Sequence, residues 1–174
     1  MHADDSAAPK EASLTTGQRH GAAIERRILG HEHREIEHVI ARIETTAELA
    51  GNLAARDLGS ALRSLLDAIQ KTFLPHTEWE DEWCYPEIDR ITGTPWATRL
   101  LRFEHQQIRA TVQRLEADWL ALRHEPSHRQ LVDLRARLYT LHALVSSHFE
   151  QEERFLMPLL DVEAPTDTSI LEGD

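Results

Sequence analysis

The stretch "FLPHTEWEDEWCYPEID", residues 73–89, combines a helical pattern with polar side chains at positions where that pattern calls for leucine. Apolar residues recur three and four positions apart from Leu62 to Phe73, and His76 and Glu80 continue the same spacing. This periodicity is typical of an amphipathic helix with one face in a core. Because a buried polar group costs free energy unless it is compensated, the helix must bring His76 and Glu80 to partners.

The same pattern returns later in the chain as an internal repeat. With an offset of 72 residues, "EHREIEHVIARIE" (32–44) aligns with "EHQQIRATVQRLE" (104–116), and "HTEWEDEWCYPEID" (76–89) aligns with "HFEQEERFLMPLLD" (148–161), without a gap. The offset matches His33 with His105, His76 with His148, Glu80 with Glu152, and Pro86 with Pro158. A repeated helix pair predicts two halves related by a pseudo-two-fold axis, with equivalent side chains facing each other.

The spacing of apolar residues predicts four helices, over about 22–50, 52–91, 95–123, and from after "HEPSH" to about 161. Pro75, Pro86 and Pro158 interrupt these patterns and predict kinks or early helix ends. Long helices with short connections favour an all-α, up-down-up-down four-helix bundle. We therefore expect a bundle over residues 21–162, between a flexible N-terminal tail (1–20) and a flexible C-terminal tail (163–174).

Each predicted helix carries an apolar stripe that polar residues interrupt. The stripes comprise Leu29, His33, Ile36, Ile40 and Ile43; Leu62, Leu66, Ile69, Phe73, His76, Glu80 and Trp83; Leu101, His105, Ile108, Val112, Leu115 and Trp119; and Leu134, Leu138, Leu141, Val145, His148, Glu152, Phe155 and Leu159. A lone inward histidine is commonly a satisfied core residue. Two His-x-x-x-Glu pairs, each with both side chains on one helix face, instead favour a metal site when two further histidines lie at matching depth.

The candidate ligands are the six ionisable side chains on these stripes, His33, His76, Glu80, His105, His148 and Glu152. We expect no role for the histidines off the stripes, His2, His20, His31, His38, His124, His128 and His142, although His31 is the alternative to His33 on the first helix. Four imidazoles and two carboxylates suit a transition metal better than magnesium or calcium. Iron is favoured over zinc, because six ligands divided between two metals leave open positions, whereas structural zinc sites are closed and tetrahedral.

Composition and charge narrow the classes of partner. Acidic residues outnumber basic ones by 30 to 19, so the surface repels nucleic-acid phosphates and anionic membranes. The N-terminal segment has no apolar leader pattern, which predicts a soluble protein without export. A single cysteine, Cys84, excludes an internal disulfide framework and predicts the reducing cytosol.

The motifs "EHREI", "HTEWEDEWCYP", "EHQQI" and "HFEQEERFLMP", in this order, resemble the hemerythrin-like, or HHE cation-binding, family over about residues 22–161. The resemblance implies a non-haem di-iron centre inside a four-helix bundle, bridged by two carboxylates and a solvent-derived oxo or hydroxo group. Matched by position, one iron is held by His33 and His76 and the other by His105 and His148, with Glu80 and Glu152 as the bridges.

Two positions depart from the oxygen-carrying members of that family. Those members have a His-x-x-x-His pair on the third helix, where this chain places Arg109 second. They take the last carboxylate five residues after the final histidine, which is Glu153 here, whereas the repeat favours Glu152. The pattern is therefore closer to symmetric four-His, two-Glu members, and it disfavours simple reversible oxygen carriage.

Three functions remain open at this point. The first is a di-iron protein that binds or reacts with O2, NO or peroxide, with enzyme turnover undecided. The second is an iron donor for damaged iron centres. This function is disfavoured because the N-terminal segment lacks the cysteine found in that segment of many repair proteins. The third is a sensory bundle whose metal state is detected by an unknown protein partner.

Overall fold

The computed structural model describes residues 16–52, 55–122 and 126–160, and the side chains from His33 onward except at positions 55, 56, 97 and 160. Four long helical segments make up these ranges. The first is α1 (Thr16–Leu49) and the third is α5 (Trp96–Ala121). The second consists of α2 (Ala55–Ala68), a π-helical turn (Ile69–Phe73), α3 (Leu74–Trp79), a second π-helical turn (Glu80–Cys84) and α4 (Tyr85–Thr92); the fourth consists of α6 (His128–Gln151), a third π-helical turn (Glu152–Leu156) and α7 (Met157–Leu160).

The four segments pack as the predicted all-α bundle. α1 contacts α2 and α6, and α5 contacts α2, α4 and α6. α1 begins at Thr16 rather than near Ala22, so residues 16–20 of the predicted N-terminal tail are helical. The remainder of that tail and all of the predicted C-terminal tail lie outside the described residues. No helix within the described ranges combines the length and the apolar character that crossing a bilayer requires.

Local sequence explains where the second segment ends and where the fourth begins. Gly93 takes a left-handed conformation (φ 68°, ψ 15°) after α4, and its amide donates to the carbonyl of Asp89. Glycine adopts this conformation without steric cost and commonly ends a helix. Ser127 caps α6 in a capping box with Gln130, which satisfies amides that the first turn leaves without helical partners.

The buried apolar side chains form two clusters. The larger cluster includes Ile43, Leu62 and Leu138, and the smaller one contains Cys84, Tyr85, Ile88, Leu101 and Leu156. On the second, third and fourth segments the buried histidines and glutamates stand in sequence between residues of the larger cluster and residues of the smaller one. The candidate ligands thus form a polar layer within an apolar core.

The second and fourth segments pass through their prolines, where the sequence predicted kinks or early ends. Each π-helical turn ends two residues before a proline, at Pro75, Pro86 or Pro158. In a π-helical turn each amide donates to the carbonyl five residues earlier, so the turn holds one residue more than an α-helical turn. The amide of Tyr85 donates to Glu80 in this way, and that of Met157 to Glu152.

The wider turns correct two of the predicted stripe positions. Trp83 and Phe155 were expected to face inward, but they are 64% and 67% exposed. The extra residue in each π-helical turn rotates the following chain, so that Cys84 and Leu156 occupy the inward positions instead. A uniform α-helical period cannot predict this change of phase.

Candidate metal centre

The six predicted ligand side chains come together in the polar layer of the bundle. Ligand atoms of His33, His76, Glu80 and Glu152 all lie within 4.8 Å of one another, and the same holds for Glu80, His105, His148 and Glu152. Both groups contain both glutamates. Each of the six residues is at most 4% exposed. The two groups therefore form one cluster of six side chains, in which each group could hold a metal ion.

The helical segments deliver these side chains from neighbouring turns. His76 Nε2 lies 3.0 Å from Glu80 Oε1, and His148 Nε2 lies 3.4 Å from Glu152 Oε1, as expected for residues one turn apart. Glu80 and Glu152 are also the first residues of their π-helical turns. His105 reaches across from α5 and places Nε2 at 3.4 Å from Glu80 Oε2.

The histidines approach each other in two pairs, one in each group. The His105 and His148 rings are 4.5 Å apart between centroids, and their Nε2 atoms are 2.9 Å apart. The centroids of the His33 and His76 rings are 5.2 Å apart. This arrangement is the one expected from the repeat, because the offset exchanges the first pair with the second.

Burial shifts the acid-base equilibria of the centre. The pKa of Glu152 is raised to about 8, mainly by desolvation and secondly by the charge of Glu80. The pKa of His105 is lowered to about 3, mainly by desolvation and secondly by the charge of His148, although Asp81 acts in the opposite direction. Without a cation, the centre thus favours a protonated Glu152 and a neutral His105. A bound cation would compensate the negative charges and would accept the lone pair of the neutral imidazole.

Carboxylates outside the centre orient three of the histidines through their Nδ1 atoms. The distances are 2.5 Å for His33 and Glu153, 3.0 Å for His105 and Asp81, and 3.1 Å for His148 and Glu104. Since a carboxylate accepts, each Nδ1–H donates and Nε2 is left to act as a ligand, which is the usual support of metal-bound histidine.

The repeat contains a signal for these outer carboxylates that the sequence analysis did not use. The offset matches Asp81 with Glu153, and each of them holds the equivalent histidine of its half. It also matches Glu104 with Glu32, whose side chain lies outside the described residues.

Tyr85 is a further member of the centre that the sequence analysis missed. Its hydroxyl donates to Glu152 Oε1 and lies 3.4 Å from His105 Nε2, and its ring stacks on that of His105 at 5.4 Å between centroids. Burial and the charges of Glu80 and Glu152 raise the pKa of Tyr85 well above its usual range, so the phenol keeps its proton. The repeat offers no signal here, because the equivalent residue is Met157.

The departures noted in the sequence have defined places. Arg109 donates to Thr77 Oγ1 at 3.1 Å and to Asp81 Oδ2 at 2.8 Å, and is thereby held outside the six-residue centre. Glu153 is half-exposed and bonded to His33, whereas Glu152 belongs to both groups. The off-stripe histidines His38 and His142 belong to neither group, and the side chain of His31 lies outside the described residues.

Comparison with known proteins agrees with this geometry. A family model described as the hemerythrin HHE cation-binding domain matches residues 25–160, and thus most of the chain. No curated protein and no solved structure matches the chain. With a match of this length and two His/Glu groups able to hold a metal at its centre, the chain belongs to the hemerythrin HHE cation-binding domain family.

Proposed function

We propose that the protein holds two iron ions and uses them to bind or react with O2, NO or peroxide. The observation that carries the proposal is the overlap of the two four-residue groups in Glu80 and Glu152. Two groups that share both carboxylates suit two cations bridged by those carboxylates. His33 and His76 would complete one position, and His105 and His148 would complete the other.

The donor set fits iron. Each position offers two imidazoles and two carboxylates, which are ligands that iron accepts readily. Four protein donors leave one or two positions open on a metal that takes five or six ligands, whereas a structural zinc site is closed by four. When bound, iron supplies redox chemistry and a place for a small ligand.

The chain's own residues prepare the centre for this role. The outer carboxylates Glu153, Asp81 and Glu104 orient three imidazoles, and the apolar residues that flank the ligands in each segment keep bulk water away. Tyr85 holds a proton on its hydroxyl oxygen and directs it at Glu152. A phenol in this position stabilises the ionised form of Glu152, and is close enough to the centre to donate to a small polar ligand.

Metal analysis combined with optical spectroscopy tests the proposal. We expect two irons per chain, and a reduced, iron-loaded protein whose spectrum changes with air or NO. Because Arg109 stands where oxygen carriers have a histidine, the change in air should be an oxidation that degassing does not reverse. A single tightly bound zinc would refute the di-iron assignment. Full reversal on degassing would instead indicate oxygen carriage.

A further inference from the structure

In the π-helical turn that carries Glu80, one backbone carbonyl accepts its hydrogen bond from a side chain of another helix. The amide of Tyr85 donates to the carbonyl of Glu80, and the next residue, Pro86, has no amide hydrogen for the next carbonyl, that of Asp81. Arg102 on α5 supplies this hydrogen bond, with Nη1 at 2.6 Å from the Asp81 carbonyl oxygen. Arg102 therefore stabilises the turn at the point where its proline removes a donor.

Two arginines of α5 fix Asp81 from the same side. Arg109 Nη2 lies 2.8 Å from Asp81 Oδ2, and Arg102 Nη1 lies 3.7 Å from Asp81 Oδ1. Arg102 also packs over the Tyr85 ring, 5.2 Å from its centroid. Asp81 Oδ1 in turn accepts from His105 Nδ1. The orientation of His105 thus depends on Asp81, whose backbone carbonyl and side-chain carboxylate are both held by arginines of α5.

The repeat breaks at these two arginines. The residue equivalent to Asp81 is Glu153, which holds His33. The residues equivalent to Arg102 and Arg109 are Gly30 and Glu37, and neither of these residue types provides a cation. The Glu153 side chain is 49% exposed, compared with 26% for Asp81. At the positions equivalent to Arg102 and Arg109, the sequence therefore gives Glu153, which orients His33, no counterpart of the support that these arginines give to Asp81.

We propose that the two metal positions are unequal, and that the position of His33 and His76 releases and exchanges its metal before the position of His105 and His148. The inference rests on the proposed two-metal centre. Both positions share the glutamates, so the difference comes from the support of the histidines. Loss of an outer carboxylate costs about 10- to 100-fold in metal affinity or activity in other proteins. Because Glu153 is present and only less anchored than Asp81, we expect release rates that differ by about the lower of these figures, tenfold.

The test is the release of iron from the fully loaded, reduced protein to a coloured chelator under anaerobic conditions. The wild-type protein should lose its two irons in two phases of equal amplitude. The fast phase is release from the position of His33 and His76, and the slow phase is release from the position of His105 and His148. Arg109→Gln should accelerate the slow phase alone, because it loosens Asp81. Glu153→Gln should accelerate the fast phase alone, because it loosens His33. Arg99→Gln is the matched control, since Arg99 lies exposed on the same helix and stacks on Trp96 instead.

Pro86→Ala provides a second, independent measurement. It restores an amide that can donate to the Asp81 carbonyl, so Arg102→Gln should accelerate the slow phase less in the Pro86→Ala background than in the wild type. Release of two irons in one phase, or acceleration of the fast phase by Arg109→Gln, would overturn the inference while leaving the two-metal centre intact. Failure to load two irons would contradict the proposed function itself.

Discussion

Replacing Glu152 by glutamine should change the stability of the metal-free protein in a pH-dependent way. Burial raises the pKa of Glu152 from its ordinary 4.5 to about 8 in the folded protein. Between these values the unfolded chain has an ionised Glu152 and the folded chain a protonated one. Wild-type stability therefore falls as the pH rises from 4.5 to about 8, and glutamine, which does not titrate, removes that loss.

The magnitude follows from the two pKa values. Each pH unit between them costs about 1.4 kcal/mol of unfolding free energy. At pH 5 the cost is below about 1 kcal/mol, and at pH 8.5 it approaches about 5 kcal/mol. Burying the glutamine amide adds an offset of about 1 to 3 kcal/mol that does not depend on pH. The stability of the variant relative to wild type should thus rise by about 4 kcal/mol from pH 5 to pH 8.5.

The assay is urea unfolding of chelator-treated wild type and Glu152→Gln at a series of pH values. Comparing the two proteins at each pH cancels titrations that they share, such as that of His105. Glu150→Gln is the control, because the Glu150 side chain is 58% exposed and lies two residues before the fourth-segment π-helical turn. In the metal-loaded protein, Glu152→Gln should destabilise, since it removes a carboxylate that we propose bridges the metals, and with it the mass-action stabilisation by bound metal.

A difference between variant and wild type that stays constant with pH would refute the reasoning. It would mean that Glu152 ionises normally in the folded chain. If the metal-loaded and metal-free wild-type proteins melt together at pH 7.5, the metal centre itself loses its physical support.

Three further substitutions test the centre and its surroundings. His105→Ala should remove far more metal than His142→Ala in elemental analysis, because only His105 belongs to a ligand group; equal losses would mean a misassigned helix face. Tyr85→Phe removes a donor that lowers the pKa of Glu152 and should weaken metal retention in a chelator competition at pH 7, while half-exposed Tyr139→Phe should not. Leu138→Ala should cost about 2 to 5 kcal/mol in urea unfolding with or without metal; a smaller loss would indicate a core that collapses.

The periodicity and the repeat determined most of the centre. Apolar spacing alone places His76, Glu80 and His105 on inward faces, because the helical period is a local property of the chain. The offset of 72 residues then selects Glu152 over Glu153 and pairs the two halves. The structure brings these side chains together as the pattern predicted.

The repeat held a signal for the outer carboxylates, but only the tertiary structure shows which other residues surround the ligands. The π-helical turn that begins at Glu80 turns Trp83 outward and Tyr85 inward, and the Asp81 carbonyl, for which Pro86 has no amide hydrogen, accepts from Arg102 on a different helix. A sequence pattern shows the period within one segment, but it does not show which side chain on a neighbouring helix satisfies a carbonyl that a proline leaves. The proposed inequality of the two metal positions rests on that contact between helices.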